Sequence, residues 1–335
     1  MFKKVLGQEG AKKFFQSVLK EDKLSHAYIL TGPAGVGKFL FARELAAVLL
    51  CEKQSGCGQC RNCLRVTHGN HPSIRLFETP KGKKNIGIDM VRDLEHEIRL
   101  KPFEGKYKIF IINDTETLSE EAANALLKTL EEPPDYSLLL LVAAQTGSLP
   151  TTVLSRCQIV RFQPLPEKIV GEILAKHQKL SAAELKILVT LAGGSPGQAL
   201  RLYEKGFTEQ RHQLIQGLLS TRLNGRSGGQ EKSGMIDDII HFAKRAKENE
   251  EIRADVAQQF KIISLFLRDL LLMKSGITAA ERLFNADKRD LLQKAKSVFP
   301  VDRLNRALEQ LLQAEQYLHQ NLNIRLVVAN TVLNL

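Results

Sequence analysis

At 335 residues the chain exceeds what one ordinary hydrophobic core supports, so two or three domains are expected. With 43% hydrophobic and 25% charged residues it is not a disordered chain, and neither a run of ~18 apolar residues nor a basic-then-apolar leader marks it for a membrane or for export, so a cytoplasmic location is expected. The formal net charge of +11 favours acidic partners such as nucleic acid, although the Lys and Arg are scattered and a solvated surface accounts for much of the excess.

Residues 1–25 carry Ala11, Phe14, Phe15, Val18 and Leu19 at helical spacing, which predicts an amphipathic helix before the first strand. HAYILTG (26–32) reads as a short buried strand and KFLFARELAAVLLC (38–51) as the helix behind it. The cysteine segment and residues 71–85 read as an insertion of loops around one short strand. GIDMVRDLEHEIRL (87–100) is a predicted helix, YKIFIIND (107–114) a strand. In SEEAANALLKTLEEPP (119–134) Ser119 is a cap, Glu120 and Glu121 suit the positive end, and the proline pair stops the helix. YSLLLLVAA (136–144) and TTVLSRCQIVRF (151–162) add two further strands, the second after a helical turn. Strand and helix alternating at these lengths imply a parallel sheet covered on both faces. Beyond residue 167 only helical patterns follow, with LAGGSPGQAL (191–200) as a helix–turn–helix corner. The Gly- and Ser-rich stretch 223–234 reads as a flexible loop, and residues 235–335 as four or five amphipathic helices.

GPAGVGK, between strand and helix, reads as a phosphate-binding loop. Gly32, Gly35 and Gly37 let backbone N–H groups converge on phosphate oxygens, and Lys38 reaches the outer phosphates. The next residue should be a Ser or Thr that ligates Mg²⁺, and here it is Phe39. Hydrolysis also needs carboxylates at a neighbouring strand end, one for the metal and one for the attacking water. That strand ends in Asn113, which lacks the charge for Mg²⁺, and Asp114, one methylene shorter than the usual glutamate. ATP or ADP binding stays open through Lys38 and the loop backbone, while the Mg²⁺ site is degraded and efficient hydrolysis is not expected.

Cys51, Cys57, Cys60 and Cys63 fall within thirteen residues, and in a reducing compartment such a cluster reads as a metal site before a disulfide framework. Four thiolates at ~2.3 Å close a tetrahedral structural Zn²⁺ site. An iron–sulfur cluster shares the C-x₂-C-x₂-C beginning but wants a fourth Cys further on, before a proline, which is absent here. Cys157 reads as a small buried residue.

LSHAYILTGPAGVGK (24–38), ANALLKTLEEPP (123–134), LSRC (154–157) and NLNIRL (321–326) together resemble the AAA+ subunits of bacterial DNA polymerase III clamp loaders. ETPKGKKNIGIDMVRDL (78–94) and the chain length resemble more particularly the delta-prime family within them. The resemblance implies an α/β AAA+ P-loop domain with a parallel sheet over 1–165, carrying a zinc module at 51–63. It further implies a small helical lid over 166–205 and an all-α collar over 206–335 that holds the chain in a hetero-oligomer. In that family Cys51 normally stands further from the next cysteine, which leaves His68 or His71 as substitute ligands here.

Further departures point the same way as Phe39 and Asn113. Ala143 and Ala144 stand where a motor subunit senses the outer phosphate with a polar residue, and Gly197 and Gln198 stand where the lid would carry a sensor arginine, the nearest being Arg201. The arginine of Ser-Arg-Cys survives as Arg156; in the family it enters a neighbour's ATP site and stabilises charge on the transferred phosphoryl group. The expected function is therefore a non-hydrolysing clamp-loader subunit working with tau/gamma and delta subunits, a sliding clamp and primer–template DNA. The alternative is an active ATPase of the tau/gamma type. A free-standing zinc-dependent DNA-binding protein would need a basic recognition helix, and KGKK (81–84) is the only dense basic run. Glu131 and Glu132 read as helix termination, and His26 as packing or a hydrogen bond near the loop.

Overall fold

The computed structural model describes residues 1–80, 82–224, 250–320 and 322–334. They form two compact units, one of residues 1–180 and 188–201, the other of residues 181–187 and 202–335.

The first unit is built on five parallel strands: β1 (Ala27–Thr31), β2 (Ile74–Phe77), β3 (Lys108–Ile112), β4 (Ser137–Ala143) and β5 (Gln158–Arg161), in the order β2-β3-β4-β1-β5. Every residue of β1, β3 and β4 is buried, as expected for strands covered on both faces. Side-chain alternation divides them between two cores. Tyr28, Leu30, Ile109, Ile111, Leu138 and Leu140 face α1 (Glu9–Lys20) and α2 (Lys38–Leu50), where Phe2, Phe15, Phe41 and Phe162 fill the space. Ile29, Phe110, Ile112, Leu139 and Leu141 face the opposite layer, which includes α4 (Ile88–Arg99) and α5 (Glu120–Glu131). Phe41 stacks on Phe2 at 4.7 Å between ring centres and meets Phe162 edge-on at 5.2 Å, which fastens the start of the chain to α2 and to the end of β5.

Ser119 caps α5 as expected, its Oγ accepting the Ala122 N–H at 3.2 Å. Two expectations change. The cysteine segment holds α3 (Arg61–His68), and the strand after it is no part of a loop insertion: Ile74↔Ile109 and Leu76↔Ile111 pair it to β3 as an edge of the main sheet. An edge strand is half solvated, which is why IRLF carried no continuous apolar signature. His26 precedes β1 and so stands at the end of the strand away from Gly32, where its carbonyl accepts the Leu139 N–H.

Between β4 and β5 lies α6 (Thr151–Leu154), and after β5 come α7 (Glu167–His177), α8 (Ala182–Leu191) and α9 (Pro196–Glu204). The division between units runs through α8. The second unit is helical among the described residues, with long helices at Phe207–Asn224, Glu250–Lys274, Val301–His319 and Ile324–Asn334. Its core holds a polar lock. Asp269, fully buried, accepts from the N–H groups of Phe284 and Asn285 and from Asn285 Nδ2 at 2.7–3.2 Å, while Arg211 bonds Asn285 Oδ1 at 2.9 Å and pairs with Asp287. The Gly- and Ser-rich stretch lies, from residue 225 onward, outside the described residues, as does Lys81 of KGKK.

Candidate functional site

The loop expected to bind phosphate joins β1 to α2, and its glycines are there for backbone reasons. Gly32 has φ 146°, and a Cβ on it would lie 2.2 Å from the Phe162 carbonyl oxygen. Gly35 has φ 76°, and its Cβ would lie 2.5 Å from Ser195 Oγ. Both positions therefore exclude a side chain on conformation and on space.

The second contact reveals what covers the loop. Ser195, 3% exposed, donates from Oγ to Ala34 O at 2.7 Å, and the Gly197 N–H donates to Gly35 O at 2.9 Å. The corner between α8 and α9 thus rests directly on the loop. Lys38, 7% exposed, donates its ammonium to the carbonyls of its own loop, Gly32 O at 2.6 Å and Pro33 O at 2.9 Å. Burial pushes its pKa below the usual lysine range, partly offset by the charges of Glu116 and Asp114. The residue that should hold an outer phosphate is engaged with its own backbone.

The neighbouring strand end offers little to a metal. Asn113 Nδ2 donates to Asp114 Oδ2 at 3.1 Å. Asp114 adopts a left-handed conformation at φ 52°, and its carboxyl is raised above the usual range by burial, then by the charge of Glu116, against which Lys38 and Arg201 pull it down. Glu116 Oε1 accepts the Ala144 N–H at 3.0 Å, so a carboxylate anchored to backbone stands at the end of β4 beside the alanines. Phe39 packs against the aromatic core and lines a cavity of about 340 Å³ with Arg43, Val66, His71 and Ile74. A second cavity of about 440 Å³ opens beside the loop, walled by Val5, Leu6, Leu165, Ile173 and Leu200.

Arg156 lies in the turn from α6 to β5, with its side chain 35% exposed. Its NH1 donates to Thr152 O at 3.0 Å and Ser155 Oγ at 3.3 Å, and its NH2 to Glu131 Oε1 at 2.7 Å. Arg201 donates to Gly197 O at 3.3 Å. Cys157 packs in the core layer of α5, and burial pushes its thiol up to about 12, as suits an inert small residue.

The four cysteines come together. Their sulfurs all lie within 4.8 Å of one another, with Cys51–Cys60 and Cys57–Cys63 at 3.9 Å. A tetrahedron with arms of ~2.3 Å has edges of ~3.8 Å, so this set fits a metal ion such as zinc. Backbone N–H groups of Cys57, Cys60 and Cys63 point at Cys51, Cys57 and Cys60 sulfurs at 3.3–3.5 Å. Burial opposes ionisation of Cys51, yet N–H groups from Cys57, Ser55 and Lys53 outweigh it and bring that thiol to about 5, whereas burial pushes Cys63 up to about 12. Neither histidine is needed: His68 is exposed, and His71 Nδ1 accepts the Ser73 N–H at 3.1 Å.

Three partners escaped the sequence: Glu131 on Arg156, Glu116 on Ala144, and Ser195 on the loop. Ser195 carried a local signal, since Ser followed by Pro reads as a helix cap with Pro in the first turn. Its second bond, 161 residues away in sequence, left no trace.

With this geometry in hand, likeness to known proteins is informative. The profile described as DNA polymerase III, delta subunit, matches residues 7–166, and that described as DNA polymerase III, delta subunit, C terminal, matches residues 205–335. DNA polymerase III subunit delta' of Bacillus subtilis is 30% identical over 96% of this chain and 94% of its own. The subunit delta' of Pseudomonas aeruginosa is 39% identical over 58% of this chain and 60% of its own. Subunit tau of Bacillus subtilis is 29% identical over 82% of this chain, which spans only 50% of that relative. Two matching profiles that together cover most of the chain and a relative aligned almost end to end lead to one conclusion: the chain belongs to the DNA polymerase III delta' subunit family.

Proposed function

We propose that the chain is a clamp-loader subunit that does not hydrolyse nucleotide itself and that lends Arg156 to the ATP site of a neighbour. The observation that carries this reading is the loop closed on itself: Lys38 is held by Gly32 O and Pro33 O, and Gly35 lies under Ser195 and Gly197. Phe39 offers no oxygen to a metal, and Asn113 no charge. Arg156 keeps the opposite character, a guanidinium in an exposed turn that can leave a surface carboxylate for a phosphoryl group. Such an arginine acting in trans is worth ~10³–10⁵ in rate in GTPases.

In this reading the sheet domain (1–165) and lid (166–205) present the arginine, and the collar (206–335) holds the chain among tau/gamma and delta subunits. The complex opens and loads a sliding clamp on primer–template DNA. The four cysteines hold a structural zinc ion, which closes the segment before α3; Cys51 is the fourth ligand. The alternative, an active motor of the tau/gamma type, draws support from the surviving Lys38 and from the cavity beside the loop.

The test is the DNA- and clamp-stimulated ATPase of a loader reconstituted with wild-type chain or Arg156→Ala, with the isolated chain as background. The expected result is a silent isolated chain and a loss of ~10²-fold or more in the mutant complex. An unchanged complex removes the role of Arg156, and robust turnover by the isolated chain establishes the motor reading instead.

A further inference from the structure

Helix α5 closes on Glu131 with Glu132 as its C-cap, where the helix dipole disfavours a carboxylate. A residue kept only to end the helix would be neutral or basic. What Glu131 does make is a bond: its Oε1 accepts from Arg156 NH2 at 2.7 Å, across 25 residues of sequence. The same guanidinium is turned by NH1 toward Thr152 O and Ser155 Oγ, so its fork is shared between a carboxylate and the end of α6. A carboxylate and a phosphoryl group compete for the same planar set of donors.

We propose that Glu131 is a positioning residue that parks Arg156 away from its target, and that the loader is stimulated in part by release of this pair. The proposal rests on the trans role of Arg156 put forward above. The strength of the pair suits a bias and not a lock. Glu131 is 49% exposed and Arg156 35%, and ion pairs so exposed contribute at most ~1 kcal/mol, equivalent to about fivefold in population. An opening that small is within reach of any rearrangement at the subunit junction, whereas a buried pair would stay shut.

The experiment is the ATPase of the reconstituted loader, with and without clamp and primed DNA, for wild type, Glu131→Gln, Arg156→Ala and the double variant. Parking predicts that Glu131→Gln raises the unstimulated kcat about two- to fivefold at unchanged KM, and lowers the ratio of stimulated to unstimulated rate by the same factor. The double variant then behaves as Arg156→Ala, because the effect of Glu131 passes through the arginine. Glu132→Gln, the neighbouring carboxylate, leaves both rates at wild-type values. A merely structural Glu131 would leave the stimulation ratio untouched. If Arg156→Ala is slow while Glu131→Gln is unchanged or slower than wild type, parking is wrong and the trans role stands. If Arg156→Ala has no effect, the trans role fails and parking goes with it.

Discussion

Replacing Gly197 by Ala gives a test whose sign separates two pictures of the glycine loop between β1 and α2. Gly197 is the second residue of α9, and in an unencumbered helix Gly→Ala stabilises by ~1 kcal/mol. Here the new Cβ would lie 2.8 Å from Gly35 Cα and 3.1 Å from Gly35 O. Both obstacles are backbone, so the corner or the loop has to move. Overpacking of this kind costs ~1–3 kcal/mol, and loss of the Gly197 N–H bond to Gly35 O adds ~0.5–1.5 kcal/mol. Set against the helical gain, the variant should be less stable by about 1–3 kcal/mol. Gly171→Ala in α7 is the control, because its Cβ meets only Val189 Cγ2 at 3.8 Å, and it should gain up to ~1 kcal/mol. Urea denaturation of the isolated chain, with amide exchange followed at Gly197, measures both. If Gly197→Ala stabilises as Gly171→Ala does, the corner does not rest on the loop and the closed-site argument collapses.

Three further outcomes are expected. Lys38→Met leaves two loop carbonyls without their donor and should cost ~1–3 kcal/mol in denaturation while the reconstituted ATPase is unchanged; a collapse of that ATPase would instead mark Lys38 as a working phosphate ligand. Zinc binding must strip protons from thiols such as Cys63, so a competition titration should find tighter zinc at pH 8 than at pH 6, with one ion per chain lost on Cys60→Ser; a pH-independent affinity would contradict the four-thiolate site. The raised carboxyl of Asp114 means that the folded chain holds its proton above the unfolded value of 3.8, so this group favours the fold in acid and loses that contribution as pH rises through the folded pKa. Asp114→Asn, which keeps a residue suited to the left-handed backbone, should therefore gain stability relative to wild type at pH 7 compared with pH 3.5; a gain that grows toward acid would reverse the assignment.

Much of the first unit was legible because its signals are local. The buried strand before the loop and the helix behind it could be read from short apolar and helical patterns, and the glycines at 32, 35 and 37 marked the turn between them, where the structure gives all three positive φ. The cysteine cluster was readable from spacing, although only the fold could bring Cys51 to the other three in place of His68 or His71, since its position is set by where the end of α2 returns. The edge strand at Ile74–Phe77 was misread as part of an insertion because an edge alternates burial only weakly.

By itself, then, the amino-acid order determined most of the segments that become strands and helices, where the glycine loop must turn, and that Phe39 offers no oxygen and Asn113 no charge. These follow from side-chain period, backbone freedom and side-chain chemistry, all carried within a few residues. Tertiary structure decided what those parts touch: that Lys38 bonds its own loop, that Ser195 and Gly197 cover Gly35, that Glu131 holds Arg156, and that Asp269 organises the second unit. Most of these contacts join residues far apart in the chain, where no local propensity constrains the partner and only the packing of whole elements brings donor to acceptor.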